Sequence, residues 1–119
     1  MNNLITIFKP EIIINCVGIV KQHPDSNDPI ISISVNSLFP HKLHKICESY
    51  GIKLIHISTD CVYSGNKGNY TEKDIPDPLD FYGRSKLLGE VSNNNAMTIR
   101  TSIIGPEINT SKGLFEWFR

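Results

Sequence analysis

Glu11-Ile12-Ile13-Ile14-Asn15-Cys16-Val17 is a short, unbroken apolar run opened by Pro10, rich in β-branched side chains and too brief for a free-standing helix. It reads as a β-strand. Its apolar residues do not alternate with polar ones, so both faces are expected to be covered, as in a parallel sheet flanked by helices. A second run, Lys53-Leu54-Ile55-His56-Ile57-Ser58, is similar but more mixed. A third, Ala96-Met97-Thr98-Ile99-Arg100-Thr101-Ser102-Ile103-Ile104, follows the Asn93-Asn94-Asn95 cluster and ends at Gly105-Pro106.

Helical patterns separate these runs. Asp28-Pro29 supplies an N-cap followed by proline at the first helical position, where the missing N–H costs nothing. From there Ile31, Val35, Leu38, Phe39, Leu43 and Ile46 recur at steps of mostly three and four, an apolar stripe ending near Tyr50-Gly51. Pro40 falls inside it and is expected to bend or interrupt the helix near Ser37. Asp80 caps a second helix, expected over residues 81 to about 92, with Leu87 and Leu88 on its buried side. Between the second strand and this helix, residues 64–69 and 75–78 are turn formers. The order strand, helix, strand, loop, helix, strand points to right-handed crossovers in a mostly parallel α/β sheet.

The 119 residues suffice for one domain or part of one. Twelve basic and twelve acidic side chains cancel, so nothing in the charge favours nucleic acid. Cys16, Cys47 and Cys61 are widely spaced and odd in number, which reads as reduced thiols in a cytoplasmic protein. Residues 1–10 lack the pattern of a signal peptide, and no apolar stretch approaches the ~20 residues of a membrane span.

The chemistry gathers in Asp80-Phe81-Tyr82-Gly83-Arg84-Ser85-Lys86. Residues four apart on a helix share a face, so Tyr82 and Lys86 can present a phenol and an ammonium to one pocket. A cation beside the phenol would favour the phenolate and make Tyr82 a workable proton donor to a ketone oxygen. Tyr63 and Lys67 have the same spacing, but Ser64-Gly65-Asn66 between them form a turn, so those two share no helical face. Ser58-Thr59-Asp60 places hydroxyls at the C-terminal end of a parallel strand, where ligands bind in such sheets; taken alone, the stretch could equally cap a turn. His41 and His44, flanked by lysines, read as a solvated helix face, with no metal site assigned. Glu72 and Asp74 read as loop carboxylates, and Phe115, Trp117 and Phe118 as the start of a core helix.

Taken in order, Asn15-Cys16-Val17-Gly18, Asn36, Ser58-Thr59-Asp60-Cys61-Val62-Tyr63, Tyr82-Gly83-Arg84-Ser85-Lys86 and Arg100-Thr101-Ser102-Ile103-Ile104-Gly105-Pro106 resemble the extended short-chain dehydrogenases, and among them the dTDP-4-dehydrorhamnose reductase group. The resemblance implies NAD(P)H-dependent reduction of a 4-keto-deoxysugar nucleotide in surface polysaccharide biosynthesis. It implies that Thr59 orients the keto group, Tyr82 is the acid, and Lys86 binds the nicotinamide ribose while lowering the tyrosine pKa. Asn15, Cys16, Val17, Gly18, Ser58, Thr101, Ser102 and Ile103, with Tyr82 and Lys86, would line the NADP or NAD site; Thr59, Asp60, Cys61 and Tyr82 would meet the sugar nucleotide. Cys61 stands where many rhamnose-pathway members carry tyrosine. The strand, glycine-rich turn and helix N-terminus that cradle a cofactor pyrophosphate have no counterpart before Asn15. The expected fold is therefore a partial Rossmann-like, doubly wound parallel sheet lacking its first βαβ cofactor-binding half. Residues 1–119 would form the central and C-terminal portion of that domain, binding cofactor poorly alone; a noncatalytic regulatory subunit of the same family is the alternative.

Overall fold

The computed structural model describes residues 2–102, 104, 105, 115 and 118. Three parallel strands, β1 (Ile12–Asn15), β2 (Lys53–Ile57) and β3 (Ala96–Ile99), form one sheet in the order β1-β2-β3. The expected α/β class is what the chain adopts. Register sorts the side chains. Ile13, Leu54 and Ala96 are aligned across the sheet, and one step further along the same face come Asn15, His56 and Thr98. That face thus carries an apolar layer followed by a polar one at the C-terminal ends of the strands.

The apolar layer is covered by two helices. The first, α1 (Asn2–Phe8), buries Ile5 and was not foreseen in the sequence; it ends at Lys9, whose φ of 42° allows its N–H to close on the Ile5 carbonyl at 2.8 Å. The second covering segment starts at the expected cap: Asp28 Oδ1 accepts from the N–H groups of Ile30 and Ile31 at 2.8 and 3.2 Å. It runs as α2 (Pro29–Ser32), a π-helical stretch over Ile33–Leu38, and α3 (Phe39–Ser49). Leu43 and Cys47 of α3 join Ile5, Ile52, Leu54, Val91 and Ala96 in the core.

The π-helical stretch is the interruption that Pro40 was expected to cause. Proline at 40 has no N–H for the Asn36 carbonyl, and the wider turn relieves its ring; the Phe39 N–H bonds back to Ser34 instead. The stretch also changes which face points inward. Leu38 is 47% exposed, whereas Ser32, Asn36, Ser37 and Pro40 are buried, so the apolar stripe misreads the first half of this segment.

These polar groups face α4 (Phe81–Leu88), which starts at Asp80 as expected, Asp80 Oδ1 accepting from the Gly83 N–H at 2.8 Å. It stops earlier than expected, because its end is pressed against the π-helical stretch: a Cβ on Gly89 would lie 1.9 Å from the Asn36 carbonyl oxygen. Its buried side is Gly83, Ser85 and Lys86, while Leu88 is exposed, contrary to expectation. Polar hydrogen bonds, not leucine packing, seat this helix: Ser37 Oγ donates to the Ser85 carbonyl at 2.7 Å and Asn36 Nδ2 to Ser85 Oγ at 3.0 Å.

The opposite face of the sheet corrects the reading of the first strand. Ile12 and Ile14 are half exposed or more, as are Met97 and, to a lesser degree, Ile99. No described element covers that face, so the unalternating run records a face that is apolar but uncovered. Phe115 and Phe118 are likewise exposed where a core helix was expected, and Trp117 lies outside the described residues. No helix among the described residues is long and apolar enough to cross a membrane.

Candidate active site

At the C-terminal ends of the strands, the polar layer is tied together by bonds between residues far apart in sequence. Asn15, 2% exposed, accepts from the Val17 N–H through Oδ1 at 3.1 Å and faces His56 Nδ1 with its amide nitrogen at 3.0 Å. Since Oδ1 is already committed to Val17, Nδ2 is the donor to His56, and the imidazole proton resides on Nε2. His56 is fully buried, and Nε2 has no protein partner among the described residues. Burial, and then the neighbouring Lys86 charge, push its pKa down to about 4. His56 was missed at the sequence level, although its alternation with Leu54 on the inward face could have marked it.

Asn36 joins three elements. Its side chain accepts from the Ile19 N–H at 2.8 Å and donates to the Ile19 carbonyl at 3.0 Å, pinning the segment after β1, while its amide also holds Ser85. Ser85 Oγ in turn donates to the Tyr82 carbonyl at 2.8 Å. The residues that carry Tyr82 and Lys86 are thereby fixed to the segment that follows Gly18.

Lys86 is 5% exposed and donates from Nζ to the Ile57 carbonyl at 2.8 Å. Burial lowers its pKa, and the Glu90 carboxylate opposes that shift. A Cβ on Gly18 would lie 3.5 Å from this ammonium and 3.4 Å from Asn36 Oδ1, so a side chain there would crowd the approach to Lys86. Cys16 and Val17 are exposed along the same segment.

Tyr82 lies on the same helix but meets different partners. Burial raises its pKa, the Thr59 hydroxyl and the Lys21 ammonium favour the phenolate, and Cys61 and Asp60 oppose it. The cation over the ring is Lys21, whose ammonium lies 5.7 Å from its centre. Thr59, buried, caps the short 3₁₀ turn Asp60–Val62 by accepting from the Cys61 N–H at 3.2 Å, so it both closes the turn and faces the phenol. Ser58 is held at the strand end by Glu90, which accepts its hydroxyl at 2.8 Å and pairs with Arg100 at 2.7 Å. The anchoring role of Glu90 was also missed.

Ser102 Oγ donates to Asp60 Oδ2 at 2.5 Å, bringing the segment after β3 to the mouth of the site; Thr101 is nearby in sequence and donates to the Ser102 carbonyl. Ile103 lies outside the described residues. A cleft of about 510 Å3 opens beside Asp60 and Cys61, lined also by Lys21, Tyr63, Asp80 and Arg100. Tyr63 and Lys67 have separate partners: Tyr63 stacks on Tyr70 at 4.4 Å and Lys67 pairs with Asp74. His41 and His44 bond the Leu88 carbonyl and the Asn93 amide, at 2.8 and 2.9 Å.

The chain is similar to several known proteins. A probable low-salt glycan biosynthesis reductase of Haloferax volcanii is 34% identical over 106 residues, covering 85% of this chain and 35% of its own length. The methionine adenosyltransferase 2 subunit beta of Rattus norvegicus is 35% identical over 114 residues, covering 91% of this chain and 34% of its own. A crystal structure of dTDP-4-dehydrorhamnose reductase from Bacillus anthracis in complex with NADP superimposes with a TM-score of 0.73 at 27% identity, over 82% of this chain and 37% of that one. The chain thus spans about a third of the length of the relatives it matches. The RmlD substrate binding domain matches residues 1–109, and the chain belongs to that family of dTDP-4-dehydrorhamnose reductase-like proteins.

Proposed function

We propose that these residues form the catalytic strip of an NAD(P)H-dependent reductase acting on a 4-keto-deoxysugar nucleotide, in cell-surface polysaccharide assembly in the cytoplasm. In this reading residues 1–119 are the central and C-terminal portion of an NAD(P)-binding domain. The observation that carries it is the convergence of the Thr59 hydroxyl and the Tyr82 phenol at the end of β2, with Lys86 buried beside Gly18 on the same side.

The chemistry follows from those positions. The Thr59 hydroxyl would hold the substrate carbonyl, and Tyr82 would donate the phenolic proton to its oxygen as negative charge develops there. Asp60 and Cys61, at the cleft, would meet the sugar. Lys86, Asn15, Cys16, Val17 and Gly18 would hold the nicotinamide ribose, with Ser58, Thr101, Ser102 and Ile103 bordering it. NADPH or NADH, when bound, supplies the hydride.

The test joins this chain to a glycine-rich N-terminal half and a sugar-binding C-terminal segment and follows NADPH oxidation with dTDP-4-dehydrorhamnose. Turnover that disappears in Tyr82→Phe supports the proposal; turnover unchanged by that substitution sinks it. A second reading, a noncatalytic subunit acting by protein contact, is favoured by the similarity to a methionine adenosyltransferase subunit. It predicts no NADPH-dependent turnover in any assembly and no effect of Tyr82→Phe on complex formation.

A further inference from the structure

Lys21 follows the segment pinned by Asn36 and reaches across to α4. Its ammonium lies 2.6 Å from Asp80 Oδ2, while the other oxygen of that carboxylate caps the helix on Gly83. It also stands 5.7 Å from the centre of the Tyr82 ring and faces Cys61. One side chain therefore contacts the helix cap and the aromatic face of the residue two positions beyond it. Lys86, four residues on from Tyr82, donates to the Ile57 carbonyl.

We propose that Lys21 is the positioning residue for Tyr82: anchored on Asp80, it holds the ring at the cleft and supplies the positive charge that acts on the phenol. The groups acting most strongly on that phenol are the Thr59 hydroxyl, Cys61 and Asp60 from the turn after β2, and Lys21 from the segment after β1. Of these, Lys21 alone is a cation. Its side chain is 47% exposed, so its charge is partly screened and its replacement should leave the core intact. The catalytic consequence rests on the reductase reading, but the contact itself does not.

The test titrates the tyrosines by ultraviolet absorbance, assigning Tyr82 by difference from Tyr82→Phe, in the unmodified chain and in the variants Lys21→Met, Lys21→Arg and Lys86→Met. Lys21→Met is expected to raise the Tyr82 titration by about half a pH unit, the effect of a largely solvated charge about 6 Å away. Lys21→Arg should restore it, and Lys86→Met should move it less than Lys21→Met does. If Lys21→Met titrates like the unmodified chain, or Lys86→Met gives the larger shift, the proposal is overturned. Should alkali unfold the protein first, the Tyr82 ring chemical shift at neutral pH decides: moved by Lys21→Met in support, unmoved against. In the assembled reductase, Lys21→Met should displace the pH profile of kcat/KM, a result whose absence alongside a shifted titration would count against the reductase reading alone.

Discussion

Acidification should destabilise this protein through His56 as the pH falls below about 6.5. The ring is fully buried, accepts a hydrogen bond from Asn15 at Nδ1 and lies near the Lys86 ammonium, so a second positive charge is doubly unwelcome. In the unfolded chain the imidazole takes up its proton near pH 6.5; in the folded state it does so only at about 4. Between those values unfolding binds one proton that the native state refuses, so stability falls as pH falls through the window and levels off below it. At about 1.4 kcal/mol per pH unit, the interval from 6.5 to about 4 is worth about 3 kcal/mol, a large share of the stability of a small domain. Asp74, Asp77 and Asp80 have depressed pKa values, so their contribution is lost only below the ordinary carboxylate value of 3.8, outside this window. Urea unfolding followed by far-ultraviolet circular dichroism across the window measures the slope, with His56→Gln as the comparison. The slope should be close to one proton in the unmodified chain and largely absent in His56→Gln. Equal slopes in both proteins, or an NMR titration placing His56 near 6.5, would refute the reasoning.

Gly89→Ala should cost ~3 kcal/mol or prevent folding, because the new Cβ would meet the Asn36 carbonyl oxygen at 1.9 Å; Gly105→Ala, with nothing within 4 Å, should be near neutral by the same urea titration. Asn36→Ala removes three hydrogen bonds that join the β1 segment to α4, two to Ile19 and one to Ser85, and should lower stability by ~3 kcal/mol. The same substitution should increase amide hydrogen exchange at Ile19, whose N–H loses its partner.

Several local features were legible in the sequence because they depend on neighbours a few residues apart. Asp28 and Asp80 cap their helices where side-chain chemistry says they should. The turn after Tyr63 separates it from Lys67, and Gly65 and Gly68 there adopt positive φ values of 86° and 68°. Pro40 forces a break in regular α-helix at the expected place. Misreadings arose where a segment's environment lies far away in the chain. The stripe through Leu38 predicted an apolar inward face, but Asn36 and Ser37 bond α4 at separations of 49 and 48 residues and turn the polar side in.

The site divides in the same way. Spacing along α4 and the hydroxyls after β2 told which residue types could do ketone chemistry, since a helical repeat and a strand end are local properties. The fold brought a second cation to Tyr82: Lys86 donates to a strand carbonyl, and Lys21, from another segment, lies over the ring. His56 acquires its depressed pKa only when Asn15 and Lys86 close around it. A sequence states each side chain's chemistry and its local periodicity, whereas burial and electrostatic partnership are pairwise quantities that exist only once distant segments are packed together.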